Sequence, residues 1–347
     1  MTEDTKNKKL LRLAPRAEWR LFEGNYGLVR RGLSDLQRLE KKHHLNGNEI
    51  DAWIQRGDEL YADGRYAEAV SCFDRAIEID ALCADAWCLR GDSLESLGRS
   101  AEAINSYDKA LEINSSDPRP WIEKGYLLRR LGRFEEAILS FDSALQISSD
   151  TVHAWMGKGE AFQWLDRYDD ALRCYDRVLD IEAQRTWVYV DALNRKADTL
   201  YRMDRYIESI ECCDKAIELS PKYSALAWHN KGGALMELHK YEEAIVCCDM
   251  ALRVWSKHPR VWNNKGICLA KIGRFEEALE CYEKSIIFDP EDLAGWYNKA
   301  RVQDDLGRIQ DAIESYEKYL ALASPDVVPE AIKCAEERLQ DLRSRRT

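Results

Sequence analysis

The sequence has little proline and glycine, with 8 and 18 residues among 347. It contains no run approaching the roughly 20 apolar residues that a membrane-spanning helix needs. Its first residues include no apolar stretch long enough for a signal peptide, and its 11 cysteines are an odd number. These absences argue against an integral membrane protein and against a secreted protein held together by disulfides. We therefore expect a protein of the reducing cytoplasm.

The sequence also lacks the common motifs of catalysis and cofactor binding. It has no GxxxxGKS or GxxxxGKT loop, no GxGxxG loop after a strand, no HExxH, no GxSxG and no CxxC. The six histidines do not stand at metal-ligand spacing. We therefore expect a protein that is not an enzyme and that uses neither a cofactor nor a metal ion.

Positive charge is in excess only at the N-terminus. Residues 1–48, named here the basic N-terminal segment, contain 11 Lys and Arg against 6 Asp and Glu, a net charge of +5. The other residues contain 40 against 56, a net charge of −16. An acidic body repels nucleic acid and anionic membranes, so a nucleic-acid partner is not expected for it. The basic N-terminal segment could contact either.

Tryptophan recurs at a period of 34 residues. The members of this series are Trp53, Trp87, Trp121, Trp155, Trp228, Trp262 and Trp296, with Leu193 in place of a missing one. Glycine or alanine follows four residues later, a turn residue after eleven, usually alanine after sixteen, and an aromatic residue or cysteine after twenty. Intervals of three and four place residues on one face of a helix. Each unit is therefore predicted to be a helical hairpin that buries its apolar face by stacking on its neighbours.

This unit resembles the tetratricopeptide repeat, and the resemblance extends over about residues 50–326. It implies an all-α fold, namely a right-handed superhelical solenoid with a concave groove lined mainly by the first helix of each hairpin. We expect a basic tail and capping helix in residues 1–49 and a C-terminal capping helix in residues 327–347. The eight repeats between them are expected at 50–83, 84–117, 118–151, 152–189, 190–224, 225–258, 259–292 and 293–326.

Two positions of constant charge occur in all eight repeats. The third residue after the tryptophan position is basic: Arg56, Arg90, Lys124, Lys158, Lys196, Lys231, Lys265 and Lys299. The residue after the aromatic position of the second helix is acidic: Asp74, Asp108, Asp142, Asp176, Asp214, Asp249, Glu283 and Glu317. We expect a ladder of ion pairs within or between adjacent repeats. The alternative is two independent solvated stripes.

The ends of the array and its fourth repeat leave alternatives open. The N-terminal helix is expected to cap the array, but it could instead dock as a basic helix in an acidic groove or on a partner. Four extra residues fall within 182–191, where Trp187 and Tyr189 stand outside the repeat register. They predict an elongated second helix or a longer loop whose aromatic residues pack locally. Alternatively, Trp187 and Tyr189 make a secondary contact with a partner.

The resemblance also implies which first-helix positions contact a ligand, including an asparagine that hydrogen-bonds an extended peptide backbone. Carried onto this chain, these positions give the groove candidates Asp51, Asp58, Tyr61, Asp85, Asp92, Arg119, Tyr126, Arg130, Trp164, Tyr201, Asn230, Asn264 and Asn298. The first two repeats are acidic there and the middle of the array is apolar. We therefore expect a protein or peptide partner that is basic over repeats 1 and 2 and apolar over the middle.

The second helices carry a row of cysteines at one repeat position: Cys72, Cys174, Cys212, Cys247 and Cys281. Equivalent positions of stacked helices lie ~8–10 Å apart, whereas a disulfide needs Cα atoms within about 7 Å. We therefore expect these cysteines to act as small packing residues.

These features predict a non-catalytic scaffold or adaptor that binds a partner segment in its groove. Two alternatives remain open from the sequence. One is a structural protein that assembles into homo-oligomers through its terminal helices. The other is a sensor of a small ligand bound in the groove.

Overall fold

The computed structural model describes residues 49–181, 187–221, 224–324 and 329–346. Regular structure within these ranges is α-helical, with no strand. The helices there are α1 (Glu49–Ala62), α2 (Tyr66–Ile79), α3 (Ala84–Ser96), α4 (Ser100–Ile113), α5 (Pro118–Arg130), α6 (Phe134–Ile147), α7 (Val152–Trp164), α8 (Tyr168–Ile181), α9 (Trp187–Arg202), α10 (Tyr206–Leu219), α11 (Ala225–Glu237), α12 (Tyr241–Val254), α13 (Pro259–Lys271), α14 (Phe275–Phe288), α15 (Leu293–Asp305), α16 (Ile309–Leu322) and α17 (Pro329–Arg346). The capping helix expected within residues 1–49 lies outside the described residues, except for Glu49, which begins α1.

The helices form two compact units that divide after Ile181. The N-terminal unit contains four helical hairpins, α1–α8, and the C-terminal unit contains four hairpins, α9–α16, followed by α17. Within each unit the two helices of a hairpin pack together, and each second helix packs on the first helix of the next hairpin. An all-α repeat solenoid with about eight repeats is therefore confirmed. Among the residues described, no helix is both long and apolar enough to cross a membrane.

A glycine lets the two helices of a hairpin approach closely. A Cβ atom on Gly57 would lie 2.5 Å from the ring of Phe73, and one on Gly91 would lie 2.6 Å from the ring of Tyr107. Both rings are fully buried. The glycine and the aromatic residue sixteen positions later therefore form one packing unit, in which the ring covers the bare backbone.

The tryptophan of a repeat binds the loop that precedes it. Trp87 Nε1 donates to the carbonyl oxygen of Ala81 at 3.0 Å. Trp262 donates in the same way to Ser256 at 2.9 Å, and Trp155 also bonds the carbonyl six residues before it. Each of these three loops has a backbone acceptor that needs a donor, and the indole of the following helix supplies it.

The turn inside each hairpin requires a left-handed backbone. Five turns use glycine, with φ between 69° and 80°. In the other three, Asp166, Asp204 and His239 adopt φ values of 56°, 60° and 60°. Each contacts the tyrosine two residues later; the Tyr206 hydroxyl, for example, donates to Asp204 Oδ1 at 2.5 Å. This bond offsets part of the strain that a side chain causes in this conformation.

The predicted charge ladder is confirmed, and it joins adjacent repeats. The base of one repeat bonds the acid of the preceding repeat in the pairs Arg90–Asp74 (2.6 Å), Lys124–Asp108 (2.5 Å), Lys158–Asp142 (2.5 Å), Lys231–Asp214 (2.5 Å), Lys265–Asp249 (2.6 Å) and Lys299–Glu283 (3.1 Å). Each of these cations also lies 5.3–5.8 Å from the centroid of the tryptophan ring of its own repeat. Arg343 of α17 lies 2.7 Å from Glu317 and continues the ladder onto the last helix.

Around the four extra residues a first helix, α9, is elongated, and the second helix α8 is not, contrary to one of the two expectations; residues 182–186, where the longer loop was the other expectation, lie outside the described residues. α8 has the usual 14 residues, whereas α9 begins at Trp187 and has 16 residues, against 13 in α7. Val188 and Tyr189 are buried, and Lys215 Nζ lies 5.3 Å from the centroid of the Tyr189 ring. The added turn is helical because it has an apolar face of its own to bury. Trp187 and Tyr189 therefore belong to the fifth hairpin, and Trp187 is 46% exposed.

The last helix, α17, covers the end of the C-terminal unit. Leu339 and Leu342 are buried in one cluster with Tyr316 of α16. Arg338 donates two hydrogen bonds to the carboxylate of Asp304, at 2.5 and 2.8 Å. α17 thus buries apolar surface that the last hairpin alone would leave in water.

Candidate functional site

In each unit the first helices of consecutive repeats contact one another and form a continuous surface. We call it the first-helix face; it consists of α1, α3, α5 and α7 in the N-terminal unit and of α9, α11, α13 and α15 in the C-terminal unit. All thirteen groove candidates lie on these helices. Trp187 and Tyr189 lie at the start of α9.

Several candidates contact one another across adjacent first helices. Arg119 of α5 lies 2.5 Å from Asp85 of α3. The carboxylates of Asp117 and Asp85 raise the pKa of Arg119 above its usual value. The Tyr61 hydroxyl of α1 lies 3.2 Å from Ser96 Oγ of α3. The sequence did not indicate that two candidates of opposite charge, Asp85 and Arg119, form a pair.

Three carboxylates cluster between α3 and α5. Oxygen atoms of Asp92, Glu95 and Glu123 lie within 4.8 Å of one another. The Tyr107 hydroxyl is 2.9 Å from an oxygen of Asp92 and from one of Glu95, and Arg130 lies 2.6 Å from Glu95. Burial and the negative charges of Asp92 and Glu95 raise the pKa of Tyr107 well above its usual value. The phenol therefore keeps its proton and acts as a donor to this cluster.

Sequence reasoning missed Glu123 as a site residue, although a signal was present. Glu123 stands two residues after Trp121, the repeat position that Asn230, Asn264 and Asn298 occupy in later repeats. A comparison of all eight repeats at this position would have indicated a third carboxylate on the first-helix face.

The first-helix face of repeats 1–3 contains more acid than base. Asp51 is exposed and Asp58 partly exposed on α1. Together with the four carboxylates of α3 and α5 described above, they make six carboxylates on this surface. The two guanidinium groups of Arg119 and Arg130 lie among them. We call this surface the acidic patch; its carboxylates belong to Asp51, Asp58, Asp85, Asp92, Glu95 and Glu123.

Between repeats 3 and 4 the first-helix face becomes aromatic and more enclosed. The Tyr126 hydroxyl donates to the carbonyl oxygen of His153 at 2.8 Å. Arg129, which was not a candidate, lies 3.0 Å from Glu160 of α7, with both side chains largely buried. Arg129 and Arg130 are adjacent in sequence, but Arg129 bonds α7 and Arg130 bonds α3.

Trp164 forms an exposed aromatic surface at the end of α7. Its side chain is 45% exposed. Its ring stacks on Phe134, with centroids 5.7 Å apart and an interplanar angle of 6°. The stacking holds the indole in one orientation at this exposed position.

In the C-terminal unit, Tyr201 of α9 joins the neighbouring first helix. Its hydroxyl donates to Glu237 of α11 at 3.3 Å. Burial and the charge of Glu237 raise the pKa of Tyr201. The tyrosine is therefore a neutral donor that connects two first helices at physiological pH.

The candidate asparagines also connect neighbouring first helices. Asn230 Nδ2 donates to the backbone carbonyl of Asn194 at 3.4 Å, and Asn298 Nδ2 donates to Asn263 Oδ1 at 3.0 Å. Asn264 is partly buried. At least two of these amides thus already contribute to contacts between repeats.

Sequence models of the tetratricopeptide repeat match most of the array. One of them matches residues 54–118, 122–185 and 273–327, which together make up more than half of the chain. Two others match residues 223–286 and residues 190–223. No curated protein matches this chain.

Solved structures share the fold at low sequence identity. A tetratricopeptide repeat protein from Parabacteroides merdae is 15% identical over 73% of this chain and 98% of its own, with a TM-score of 0.60. The APC/C hetero-tetramer Cut9–Hcn1 is 18% identical over 86% of this chain and 59% of its own, with a TM-score of 0.57. Yeast Tom70 is 18% identical over 85% of this chain and 65% of its own, also with a TM-score of 0.57. The family matches and the tandem hairpins agree, and the chain belongs to the tetratricopeptide repeat family.

Proposed function

We propose that this chain is a non-catalytic scaffold that binds a segment of a partner protein on its first-helix faces. Membership of the tetratricopeptide repeat family supports a role in protein interaction. The structurally similar Cut9–Hcn1 complex is a hetero-tetramer, so a chain of related fold assembles with others there. The described chain offers a preformed surface for such an interaction, because its first helices are already held together by side-chain bonds.

The observation that carries this proposal is the charge of the acidic patch. Six carboxylates and two guanidinium groups leave an excess of negative charge on one side of the N-terminal unit. A segment with lysine or arginine complements this surface, and complementary charge raises the association rate and excludes acidic competitors. We therefore assign a cationic segment to repeats 1–3.

An apolar anchor complements the other end of the N-terminal face. Trp164 is half exposed and held in place by Phe134, and rigid aromatic residues are frequent centres of binding energy. Three first helices, from α3 to α7, span ~16–20 Å at usual helix spacings. An extended segment rises about 3.3 Å per residue. The cationic residues of the partner should therefore stand about five or six residues from its apolar anchor where they contact α3, and about seven to nine residues from it where they contact α1.

A display library of random peptides, selected on the full-length protein, tests the proposal while the partner is still unidentified. We expect enriched peptides with Lys or Arg and with an aromatic or aliphatic residue at one of these spacings. The variant Asp51→Lys/Asp58→Lys should lose their binding by at least about tenfold, which corresponds to about 1.4 kcal/mol. Asp92 is unsuitable for charge reversal because it is only 7% exposed.

Glu135→Lys on α6 is the matched control, because Glu135 is an exposed acid on a second helix of the same unit. It changes the net charge in the same direction but lies off the first-helix face. Peptides selected without a preference for Lys or Arg would contradict the proposal, as would an equal loss of binding in Glu135→Lys.

A further inference from the structure

We propose that the basic N-terminal segment docks on the acidic patch of its own molecule and competes there with a partner segment. The competition rests on the proposed function, whereas the docking does not. The occupant is thus a defined part of this chain, residues 1–48. The surface that it occupies is the acidic patch on the first-helix face of repeats 1–3.

The composition of the segment fits the surface. Residues 1–20 contain six basic and three acidic residues. The basic ones are Lys6, Lys8, Lys9, Arg12, Arg16 and Arg20. Leu10, Leu11 and Leu13 lie among them. This stretch therefore combines the cationic and apolar side chains that complement the acidic patch and the aromatic surface beside it.

The acidic excess of the first helices is concentrated in repeats 1–3, next to the segment. Apart from the bases of the ladder, α1, α3 and α5 contain eight acidic and three basic residues. Counted in the same way, α9, α11, α13 and α15 contain five of each. A cationic segment therefore has a strong electrostatic preference for the first three repeats.

The carboxylate cluster makes this preference stronger than an exposed patch would. Asp92 is 7% exposed, and one of its oxygen atoms lies within 4.8 Å of one oxygen of Glu95 and one of Glu123. Charges that are partly shielded from water interact more strongly with an approaching cation. Arg130 lies 2.6 Å from Glu95 of this cluster.

The covalent connection places the segment beside its surface. Residue 48 is followed directly by Glu49, the first residue of α1, and Asp51 lies in the first turn of that helix. A chain of 48 residues can span at most ~170 Å, whereas α1 and α5 are separated by only ~16–20 Å. Because the segment is tethered, its effective concentration at the patch can reach the millimolar range.

Zero-length carbodiimide cross-linking of the full-length protein tests the docking. An equimolar mixture of unlabelled and nitrogen-15-labelled chains separates links within a molecule from links between molecules. We expect Lys6, Lys8 or Lys9 to be joined to acidic-patch residues within one molecule, with several-fold less product at high salt. Asp58→Asn/Glu123→Gln should reduce these links several-fold, and Glu135→Gln on α6 should not.

Three results would overturn the docking. They are the absence of these links, links from the three lysines only to residues outside the acidic patch, and links only in mixed-isotope pairs. The last result would place the segment on a second copy of the chain. Because the three lysines lie outside the described helices, their substitution leaves the hairpins unchanged in sequence.

A labelled synthetic peptide that copies residues 5–20 tests the competition. It should bind full-length Lys6→Glu/Lys8→Glu/Lys9→Glu about tenfold or more tightly than it binds the wild-type chain, because the variant lacks the tethered competitor. Equal binding by the two chains would show that the segment does not occupy the patch.

The two proposals fail in different ways. If the cross-links form but the library selects no cationic peptide, the acidic patch serves the chain's own segment and the proposed partner binding is wrong. If the library selects cationic peptides but the cross-links do not form, partner binding stands and the docking of the basic N-terminal segment is wrong.

Discussion

Lys265 Nζ lies 2.6 Å from Asp249 Oδ1 of the preceding repeat and 5.7 Å from the ring centroid of Trp262 in its own repeat. The lysine thus connects a second helix to the following first helix while its charge rests near an indole ring. The same arrangement in six places explains why both the basic and the acidic position are constant along the sequence. The pairs are partly exposed, so they determine the register of neighbouring repeats more than they stabilise the fold.

A double-mutant cycle on Lys265→Met and Asp249→Asn should give a coupling energy of about 0.5–1 kcal/mol, since the pair is partly exposed and also contacts an aromatic ring. Urea unfolding of the full-length protein measures it. The matched cycle pairs Lys265→Met with Glu283→Gln, an acid of the same repeat that bonds Lys299 instead. Its coupling should be close to zero. Equal coupling in both cycles would mean that the ladder does not select the preceding repeat.

The glycines of the first helices should differ in their tolerance of alanine. A Cβ on Gly57 would lie 2.5 Å from the Phe73 ring, whereas in the sixth repeat Cys248 replaces the aromatic residue and a Cβ on Gly232 meets its nearest neighbour at 3.4 Å. Gly57→Ala should therefore destabilise the protein by about 1–3 kcal/mol through overpacking. Gly232→Ala should be neutral or stabilising by up to about 1 kcal/mol, because alanine favours a helix interior. Thermal or urea unfolding of the two variants checks this contrast, and a similar loss in both would contradict it.

Stability should decrease in mild acid because of His229. Burial, aided by the neighbouring Arg260 and His258, lowers the pKa of His229 well below its usual value. The unfolded chain titrates near 6.5, so below about pH 6.5 the unfolded state binds more protons and the free energy of unfolding falls with decreasing pH until the folded-state pKa is reached.

The measurement for His229 is the free energy of unfolding at several pH values between about 7.5 and 5.5. In the His229→Asn variant, the free energy of unfolding should decrease less toward low pH than in the wild type. His239→Asn is the control, because His239 lies in an exposed turn and asparagine tolerates its φ of 60°. Identical pH profiles for wild type and His229→Asn would show that His229 does not titrate as described.

The cysteines should fall into two classes of reactivity. Burial raises the pKa of Cys174 and Cys268 to about 12 and that of Cys247 and Cys281 to about 11. Few of these thiols are ionised at pH ~8, and the thiolate is the nucleophile. They should react with a disulfide reagent only on unfolding.

The partly exposed cysteines are Cys83, Cys212 and Cys334. Mass spectrometry of the native protein after brief labelling should find the label on these three, and denaturant should expose all eleven. Rapid native labelling of Cys247 or Cys281 would show that the second-helix row is accessible, contrary to its predicted packing role.

The helical hairpins could be read from the sequence because their determinants are close together in the chain. Phe73 covers Gly57 only sixteen residues away, and the left-handed turn between their helices lies at Gly64. The same offsets recur in each repeat, so the pattern was visible without a structure. The charge ladder was visible for the same reason. The sequence did not show whether a base pairs with the acid of the preceding repeat or of its own, because Lys265 lies at a similar distance in sequence from Asp249 and from Glu283.

The candidate site was predicted less completely. Positions carried over from the family all lie on the first helices, yet their mutual contacts could not be inferred. Arg129 and Arg130 are neighbours with the same side chain, and a step of 100° around α5 sends one to Glu160 and the other to Glu95. Glu123 was overlooked because its importance comes from Asp92 and Glu95, which belong to another helix.

The sequence by itself determined the repeat, its two helices, its turn and the charge of each position, since these depend on intervals of three, four and sixteen residues within one hairpin. Only the tertiary structure decided which repeat supplies the partner of each ladder base, where the extra turn of α9 lies, and that three carboxylates and Tyr107 converge between α3 and α5. The physical reason is that these contacts join helices of different hairpins or depend on where a helix starts. Their geometry follows from how helices stack and not from spacing along the chain.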